Sequence, residues 1–318
     1  MARAIGAEAG VDGRIMTREL RWQGMVFVAV AMLVAVSTFI VPHLDEQTSL
    51  MIIAGLIIVL GVPHGALDTV FATKMYGVNS LRRWALFGLA YGFLSALVVS
   101  VWIFAPAAFL AGFLLLSMVH FSGDPGPGSL TTSRILYGGA MIVLPALRYE
   151  DEVSRLFGLL AGSEAAVLLT PLLAVAAWPW LAALLVSSVL EFRRDRLTAF
   201  ELLGVGLLSS LAPPLVGFAV FFCAMHSARH ILRTINLARP WPPLLLIGAG
   251  TIPMMLIFVI AMIAWITREG FSFETRVVQI TFVGLAALTV PHMVLIERFR
   301  LSDWGAATDA STVSDAAS

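Results

Sequence analysis

Two histidines four residues apart, His226 and His230, carry the clearest sign of chemistry in the chain. Residues at this spacing lie on one face of a helix, about 5–6 Å apart, so two imidazoles can hold one metal ion. The flanking stretches Val216–Cys223 and Ile231–Leu232 are too apolar for a surface loop. We therefore expect the pair to lie inside a membrane, where titratable groups are costly and usually functional.

The composition places these histidines in an integral membrane protein. The chain has 318 residues, of which 59% are hydrophobic and only 13% charged, whereas soluble domains are about 25% charged. Apolar runs long enough to cross hydrocarbon recur along the chain, which predicts an all-α polytopic bundle of about 8–10 transmembrane helices. The net charge is zero and no basic block indicates a nucleic-acid partner. The single cysteine, Cys223, excludes an internal disulfide and a cysteine-rich metal site.

The apolar runs divide the chain into a polar N-terminal extension (1–21), one transmembrane domain (22–300) and a tail (301–318). The tail is rich in Ser, Ala, Asp and Thr and is predicted to be disordered. The predicted spans are Trp22–Val41, Leu50–Thr73, Trp84–Phe104, Ala107–Ser122, Ile135–Leu147, Ala166–Leu190, Ala199–Ala212, Leu215–Ile235, Leu244–Thr267 and Val277–Glu297. The fifth and seventh are short for a membrane crossing.

The positions of Lys and Arg predict the orientation. With the N-terminus inside, 16 of the 20 basic residues fall on the inner side, and only Arg148, Arg155, Arg268 and Arg276 fall outside. The positive-inside rule predicts this skew. It favours an even number of spans in the cell membrane, with both termini cytoplasmic. Removing two spans would keep the alternation, so eight spans satisfy the rule as well as ten.

Five of the six histidines share one predicted depth. His43 lies at the outer end of the first span and is expected to be an interfacial, solvated side chain. The other five fall in the inner halves or at the inner ends of their spans: His64, His120, His226, His230 and His292. Scattered structural histidines have no reason to share a level, so this coincidence predicts a single site.

Two carboxylates and a fifth histidine accompany the predicted site. Asp68 and Asp124 each follow a histidine by four residues. A metal-bound histidine usually donates its other ring N–H to a carboxylate or carbonyl, and these are candidates for that role. The alternative is a pair of helix-end carboxylates at the inner interface. His292 is a candidate catalytic residue that would act as a ligand, as a hydrogen-bond donor behind the ligands or as a pocket wall.

The donor set restricts the metal without selecting it. Several neutral imidazoles without cysteine suit Zn, Cu, Fe or Ni. A catalytic site must leave a coordination position open, and four imidazoles on an octahedral ion leave room for dioxygen. Composition alone does not distinguish iron from zinc.

A family resemblance adds to this interpretation. Four segments, in this order, resemble the Brp/Blh family of membrane β-carotene 15,15′-dioxygenases: Gly61-Val62-Pro63-His64-Gly65-Ala66-Leu67-Asp68, His120-Phe121-Ser122-Gly123-Asp124, His226-Ser227-Ala228-Arg229-His230 and Val290-Pro291-His292-Met293. The resemblance implies an Fe(II) site, with O₂ as co-substrate, that splits β-carotene centrally into two retinal molecules. It implies the iron ligands His64, His120, His226 and His230, and a rhodopsin is the partner expected to receive the retinal.

The substrate that this resemblance implies fits a membrane pocket. A carotenoid is a hydrocarbon roughly as long as the bilayer core is thick, about 30 Å. It dissolves in membrane lipid and offers no hydrogen-bond handle, so its pocket should be apolar and aromatic and should open sideways to the lipid. The candidate lining residues near the inner level are Phe71, Tyr91, Phe121, Phe221 and Phe222. The alternative for each is ordinary helix packing.

Two other functions remain open on the sequence. A membrane di-iron hydroxylase or desaturase acting on a lipid would need several clustered histidine pairs, and this chain has one. A metal or proton transporter would spread titratable groups across the depth of the membrane, whereas here they gather on one side. Iron stoichiometry separates the enzymes, since one iron per chain favours carotenoid cleavage and two favour the di-iron alternative.

Overall fold

The computed structural model describes residues 18–40, 46–61, 65, 67–237, 265 and 270–315, and every regular element among them is helical. The α-helices are α1 (Arg18–Ser37), α2 (Glu46–Leu56), α3 (Asp68–Tyr76), α4 (Leu81–Phe104), α5 (Pro106–Phe121), α6 (Thr131–Val143), α7 (Glu150–Ala161), α8 (Ser163–Phe192), α9 (Arg196–Leu211), α10 (Pro214–Val220), α11 (Ala228–Leu237) and α12 (Phe273–Asp315). Two π-helical segments, Ile57–Gly61 and Phe221–Ser227, and a 3₁₀ turn, Leu144–Leu147, join some of them.

Five helical segments of the described chain are long and apolar enough to cross a membrane. They are Arg18–Ser37, Leu81–Phe104, Ser163–Phe192, Pro214–Thr234 and Phe273–Ile296. The predicted class, an all-α polytopic membrane protein, is confirmed. The fifth and seventh predicted spans form helices of only 13 and 16 residues, α6 and α9. The ninth, Leu244–Thr267, lies outside the described residues except for Trp265.

The structure departs from the predicted spans at two places. The predicted second span is divided into α2, the first π-helical segment and α3. Residues 62–64 and 66, between these elements, lie outside the described part of the chain. The second departure is α7, an amphipathic helix that the prediction missed because a search for long apolar runs does not detect twelve residues with one apolar face.

The last helix also differs from its prediction at its end. Its helical backbone extends to Asp315, into the tail that composition predicts to be disordered. The domain boundaries remain a prediction.

Close packing brings α6 against the end of α5 that carries the site. A Cβ atom at Gly138 would clash with the carbonyl oxygen of Met118 and would lie 2.7 Å from the backbone nitrogen of Ser122. Glycine is therefore required for this approach. The contact fixes the C-terminal turn of α5, which holds His120.

Polar contacts from α4 hold α12 just before His292. Pro291 has no N–H, so the carbonyl of Ala287 one turn earlier loses its helical donor. The hydroxyl of Ser95 on α4 donates to that carbonyl at 2.7 Å. This bond satisfies the freed acceptor and ties the two helices together at the level of the site.

Candidate metal centre

Four of the five histidines that share a predicted depth come together in the structure. The ring centroids of His120 and His226 are 4.5 Å apart, those of His120 and His292 are 5.3 Å apart, and those of His230 and His292 are 4.9 Å apart. His120 ends α5, His226 lies in the second π-helical segment, His230 lies on α11, and His292 lies on α12. π-Helical segments are rare in proteins, and those that occur are often at functional sites. His64 lies outside the described residues, as does His43.

Each predicted carboxylate contacts a histidine on another helix. Asp124 Oδ2 accepts from His226 Nδ1 at 3.0 Å, and Asp68 Oδ1 accepts from His292 Nδ1 at 2.6 Å. The sequence spacing pairs these carboxylates with His64 and His120 instead. A carboxylate on Nδ1–H fixes the tautomer, which leaves the Nε2 lone pair as the metal-binding edge of the ring. Both carboxylates are buried, with exposed fractions of 3% for Asp68 and 4% for Asp124.

A tyrosine supports the second of these pairs. The hydroxyl of Tyr91 lies 3.2 Å from Asp68 Oδ2 and 3.2 Å from the carbonyl oxygen of Leu288. The sequence predicts Tyr91 as a pocket residue, and in the structure it forms the outer member of a Tyr91–Asp68–His292 chain. The chain links α4, α3 and α12.

Three of the other predicted aromatic residues contact the imidazoles. Phe222 stacks on His226 with centroids 5.6 Å apart, and Phe71 stacks on His230 at 5.8 Å. Phe121 meets His226 edge-on at 5.0 Å. These rings surround the histidines with apolar surface.

The fourth, Phe221, packs into the helix core instead. Its ring is fully buried and contacts Phe27 and Tyr137 as well as Phe121. It supports the wall behind the site.

An ion pair that sequence reasoning missed lies behind the histidines. The charge pattern predicts that Arg229 is cytoplasmic, but its side chain is fully buried and donates to the two carboxylate oxygens of Glu201 at 2.6 and 3.0 Å. Its Nε also donates to Gln23 Oε1 at 2.8 Å. The available signal was Glu201 itself, a carboxylate inside a predicted span, because charged residues there are rare and usually functional.

This pair and a second arginine hold the backbone that carries Asp124. Arg229 donates to the carbonyl oxygen of Asp124 at 2.9 Å. Arg233 donates to the same oxygen at 2.9 Å and to that of Gly123 at 3.0 Å. Because Asp124 in turn accepts from His226, the two guanidinium groups restrict the position of the carboxylate that orients this imidazole.

The spacing of the rings fits a single ion. With metal–nitrogen distances of about 2.1 Å, two imidazoles on one ion have centroids about 4.6 Å apart at 90° and about 5.3 Å apart at a tetrahedral angle. The three measured separations, 4.5, 4.9 and 5.3 Å, match this interval closely. Within the described residues, no three His, Cys, Asp or Glu side chains already have their donor atoms arranged to hold an ion. The predicted ligand His64 lies outside the described part of the chain.

Comparisons with known proteins point to one family. The family model described as β-carotene 15,15′-dioxygenase matches residues 55–300, which include the five histidines of shared predicted depth and leave out His43. The chain is 31% identical over 258 residues to a protein named β-carotene 15,15′-dioxygenase from an uncultured marine bacterium, 66A03, covering 76% of this chain and 90% of that protein. It is 24% identical over 249 residues to a protein from Halobacterium salinarum named probable β-carotene 15,15′-dioxygenase Blh, covering 70% and 71%. No solved structure matches the chain.

Proposed function

Because the chain belongs to the β-carotene 15,15′-dioxygenase family, we propose that this membrane enzyme cleaves a carotenoid at its central double bond to give two molecules of retinal. One polyene and one O₂ are consumed, and each aldehyde keeps one oxygen atom. The observation that carries the proposal is the cluster of imidazoles with centroids 4.5–5.3 Å apart, built from histidines in the matched region.

The proposed cofactor is Fe(II), held by His64, His120, His226 and His230. Neutral imidazoles suit iron among other metals, and four of them leave coordination positions open. When bound, the iron would supply the redox chemistry that allows O₂ to react with a carbon–carbon double bond.

The residues around the site would orient the ligands and exclude water. Asp124 would hold His226 in the tautomer that presents Nε2 to the ion, and Asp68 would fix the orientation of His292 beside it. Phe71, Phe121 and Phe222 would shield the reacting polyene from water, which limits side reactions of the oxidised product. His292 would serve beside the ligands, either on the ion or as a wall of the reaction space.

The proposed setting follows from the charge pattern and the substrate. We place the enzyme in the bacterial cell membrane with both termini cytoplasmic, because most basic residues fall on that side of the predicted spans. The carotenoid would enter from the surrounding membrane lipid. A rhodopsin in the same membrane is the proposed recipient of the retinal.

Expression in bacteria that accumulate β-carotene tests the reaction. The cells should lose their orange colour while retinal appears in the extract. Cells that keep their carotene at normal levels of membrane-inserted protein would refute the proposal.

Removing the metal tests the cofactor separately. Purified protein treated with a chelator is expected to stop forming retinal, and Fe(II) is expected to restore activity better than Zn(II), since zinc has no redox chemistry. Elemental analysis should find one iron per chain. Full activity without metal would refute the iron site, and two irons per chain would favour the di-iron alternative.

The Asp68→Ala substitution tests the carboxylate–histidine pair on α12. With His292 on the ion, loss of its carboxylate partner lowers metal affinity by about 10–100-fold, and we expect a reduction in that range. Tyr91→Phe is the matched variant, because it removes only the hydroxyl that contacts Asp68 and leaves the carboxylate on His292, so it should lower affinity by less than about tenfold. Titration of the metal-free proteins with Fe(II) measures both. Unchanged affinity in Asp68→Ala would show that the Asp68–His292 pair does not act on the ion.

A further inference from the structure

An apolar groove lies between α1, α8 and α9, away from the histidine cluster. It has a volume of about 450 Å³. Val28 and Leu184 form its floor and are 9% and 0% exposed. Met32, Leu185 and Phe200 form its rims and are 48%, 47% and 46% exposed. The groove therefore opens toward the surroundings of the bundle, which in a membrane are lipid.

The groove is about as long as one leaflet of a membrane is thick. On α9 it extends from Phe200 to Leu211, which is about 17 Å at 1.5 Å per residue. Half of the hydrocarbon core of a bilayer is about 15 Å thick. The volume agrees with this length, because an apolar cavity of about 150 Å³ holds benzene, with its six carbon atoms. Three times that volume suits about 18 carbon atoms, the size of one acyl chain.

A cluster of exposed arginines lies at one end of the groove. At this end α1 begins, α8 ends and α9 begins. An ion pair of 3.4 Å between Arg21 and Asp195 joins the start of α1 to the turn between α8 and α9. The exposed cations in these segments are Arg18, Arg21, Arg193, Arg194 and Arg196. This end of the groove is therefore surrounded by positive charge.

The neighbouring carboxylates do not neutralise this arginine cluster. Glu191 is buried and accepts from the backbone N–H of Leu130 at 2.7 Å. Asp195 caps α9 and pairs with Arg21. Together with Glu19, these carboxylates leave a net charge of +2 on residues 18–21 and 191–196. The surplus is available to an anion from outside the chain.

Aromatic side chains connect the arginine cluster with the groove. The guanidinium carbon of Arg196 lies 5.5 Å from the centroid of the Phe192 ring. Phe192 meets Phe200 edge-on at 5.9 Å, and Phe200 lines the groove. Trp22 on α1 is 58% exposed beside Arg21, and tryptophan is enriched where hydrocarbon meets water. The groove therefore begins at the membrane interface, next to the arginines.

We propose that the groove binds one acyl chain of an anionic phospholipid whose phosphate contacts Arg193 and Arg196. The apolar wall suits the chain, and clustered arginines at the membrane surface attract anionic headgroups. A second copy of the protein fits this face less well, because a two-fold interface would bring two identical arginine clusters together. The bound lipid would hold α1 against α9, and these helices carry Gln23 and Glu201, which bind Arg229 behind the histidines.

Native mass spectrometry of the full-length protein in detergent tests the proposal. The delipidated protein is titrated with phosphatidylglycerol, which is anionic, and with phosphatidylcholine of the same acyl chains, which is zwitterionic. The first phosphatidylglycerol should bind at least about tenfold more tightly than phosphatidylcholine and saturate at one per chain. This measurement does not depend on whether the chain forms retinal.

Removing the headgroup contacts should abolish the preference. The double variant Arg193→Gln/Arg196→Gln should lose at least about tenfold in affinity for phosphatidylglycerol and retain its weak affinity for phosphatidylcholine. Lys74→Gln/Arg82→Gln is the matched control, because it also removes two exposed cations, at α3 and α4. Its affinity for both lipids should stay within about twofold of the wild-type value, since neither residue lies near the groove.

Filling the groove tests the acyl-chain contact separately. Leu207→Trp on α9 should weaken phosphatidylglycerol binding at least about tenfold, because an indole would occupy the space of the chain. Leu89→Trp on α4 is the matched control, since Leu89 is 70% exposed and lies outside the groove. Gel filtration and metal content check the fold of every variant. If Leu207→Trp does not fold, Leu203→Trp, from the same wall, decides.

The other occupants of this face give different results. Equal binding of the two lipids, with no distinct first site, would mean that only bulk lipid covers the groove and would refute the proposal. A wild-type dimer that Leu207→Trp dissociates, with lipid affinity unchanged, would assign the face to a second copy and would also refute it. Loss of phosphatidylglycerol preference in Lys74→Gln/Arg82→Gln instead of Arg193→Gln/Arg196→Gln would place the headgroup elsewhere.

Discussion

Replacing His226 with alanine is expected to abolish retinal formation, with a loss of activity and of metal affinity of at least about 100-fold. His226 joins several parts of the site. Its ring lies 4.5 Å from that of His120, its Nδ1 donates to Asp124, and Phe222 stacks on its face. The substitution would remove a ligand and also leave a buried carboxylate without this donor.

The measurement is retinal formation and iron content at equal amounts of membrane-inserted protein. His43→Ala is the matched control, because His43 lies outside the region that the family model matches and is predicted to be solvated. It should keep both activity and iron. His64→Ala should behave like His226→Ala, since both are proposed ligands. Wild-type retinal formation in His226→Ala would refute the ligand assignment.

The membrane class and the candidate histidines can be predicted from the sequence for simple reasons. Hydrophobic content over 318 residues leaves no soluble alternative. Successive spans cross the membrane in opposite directions, so the depth of a residue follows from its distance to the end of its predicted span. These depths alone group His120, His226, His230 and His292 at one level. The measured proximity of their rings agrees with that grouping.

The partners of these histidines cannot be predicted from the sequence in the same way. Spacing along the chain reports only neighbours on one helix. Asp68 bonds to His292, which lies 224 residues away, and Asp124 bonds to His226 at a separation of 102 residues. Such pairs depend on how helices pack, so a local pattern can identify the carboxylates but not their histidines.

The same limit applies to α7 and to the buried ion pair. A hydropathy average over a window as long as a membrane span does not detect a short amphipathic helix such as α7, because the polar residues on its other face lower the mean. Charge counting treats every arginine near an inner helix end as cytoplasmic, and Arg229 violates that assumption because it has a buried carboxylate partner in Glu201. An isolated carboxylate inside an apolar run is the signal that would have identified the pair.

The Arg229–Glu201 ion pair is expected to position Asp124 in addition to stabilising the fold. Comparing the two single substitutions with the double variant separates these roles. Arg229→Met or Glu201→Met alone leaves an unpaired buried charge and should destabilise the protein by about 3–5 kcal/mol. The double variant removes both charges, so its stability should return to near the wild-type value. Its metal affinity should nevertheless stay at least about tenfold low. The reason is that the carbonyl of Asp124 has still lost its donor on Arg229, while Arg233 remains.

Thermal unfolding in detergent and Fe(II) titration of the metal-free proteins give the two readouts. Arg21→Met is the matched control, since it breaks an ion pair with Asp195 whose side chains are 48% and 32% exposed. Such surface pairs contribute at most about 1 kcal/mol, so stability and metal affinity should hardly change. A double variant that regained both stability and wild-type metal affinity would show that the pair serves the fold alone. A double variant that regained stability but bound iron weakly would establish that these buried charges act on the metal centre through the backbone of Asp124.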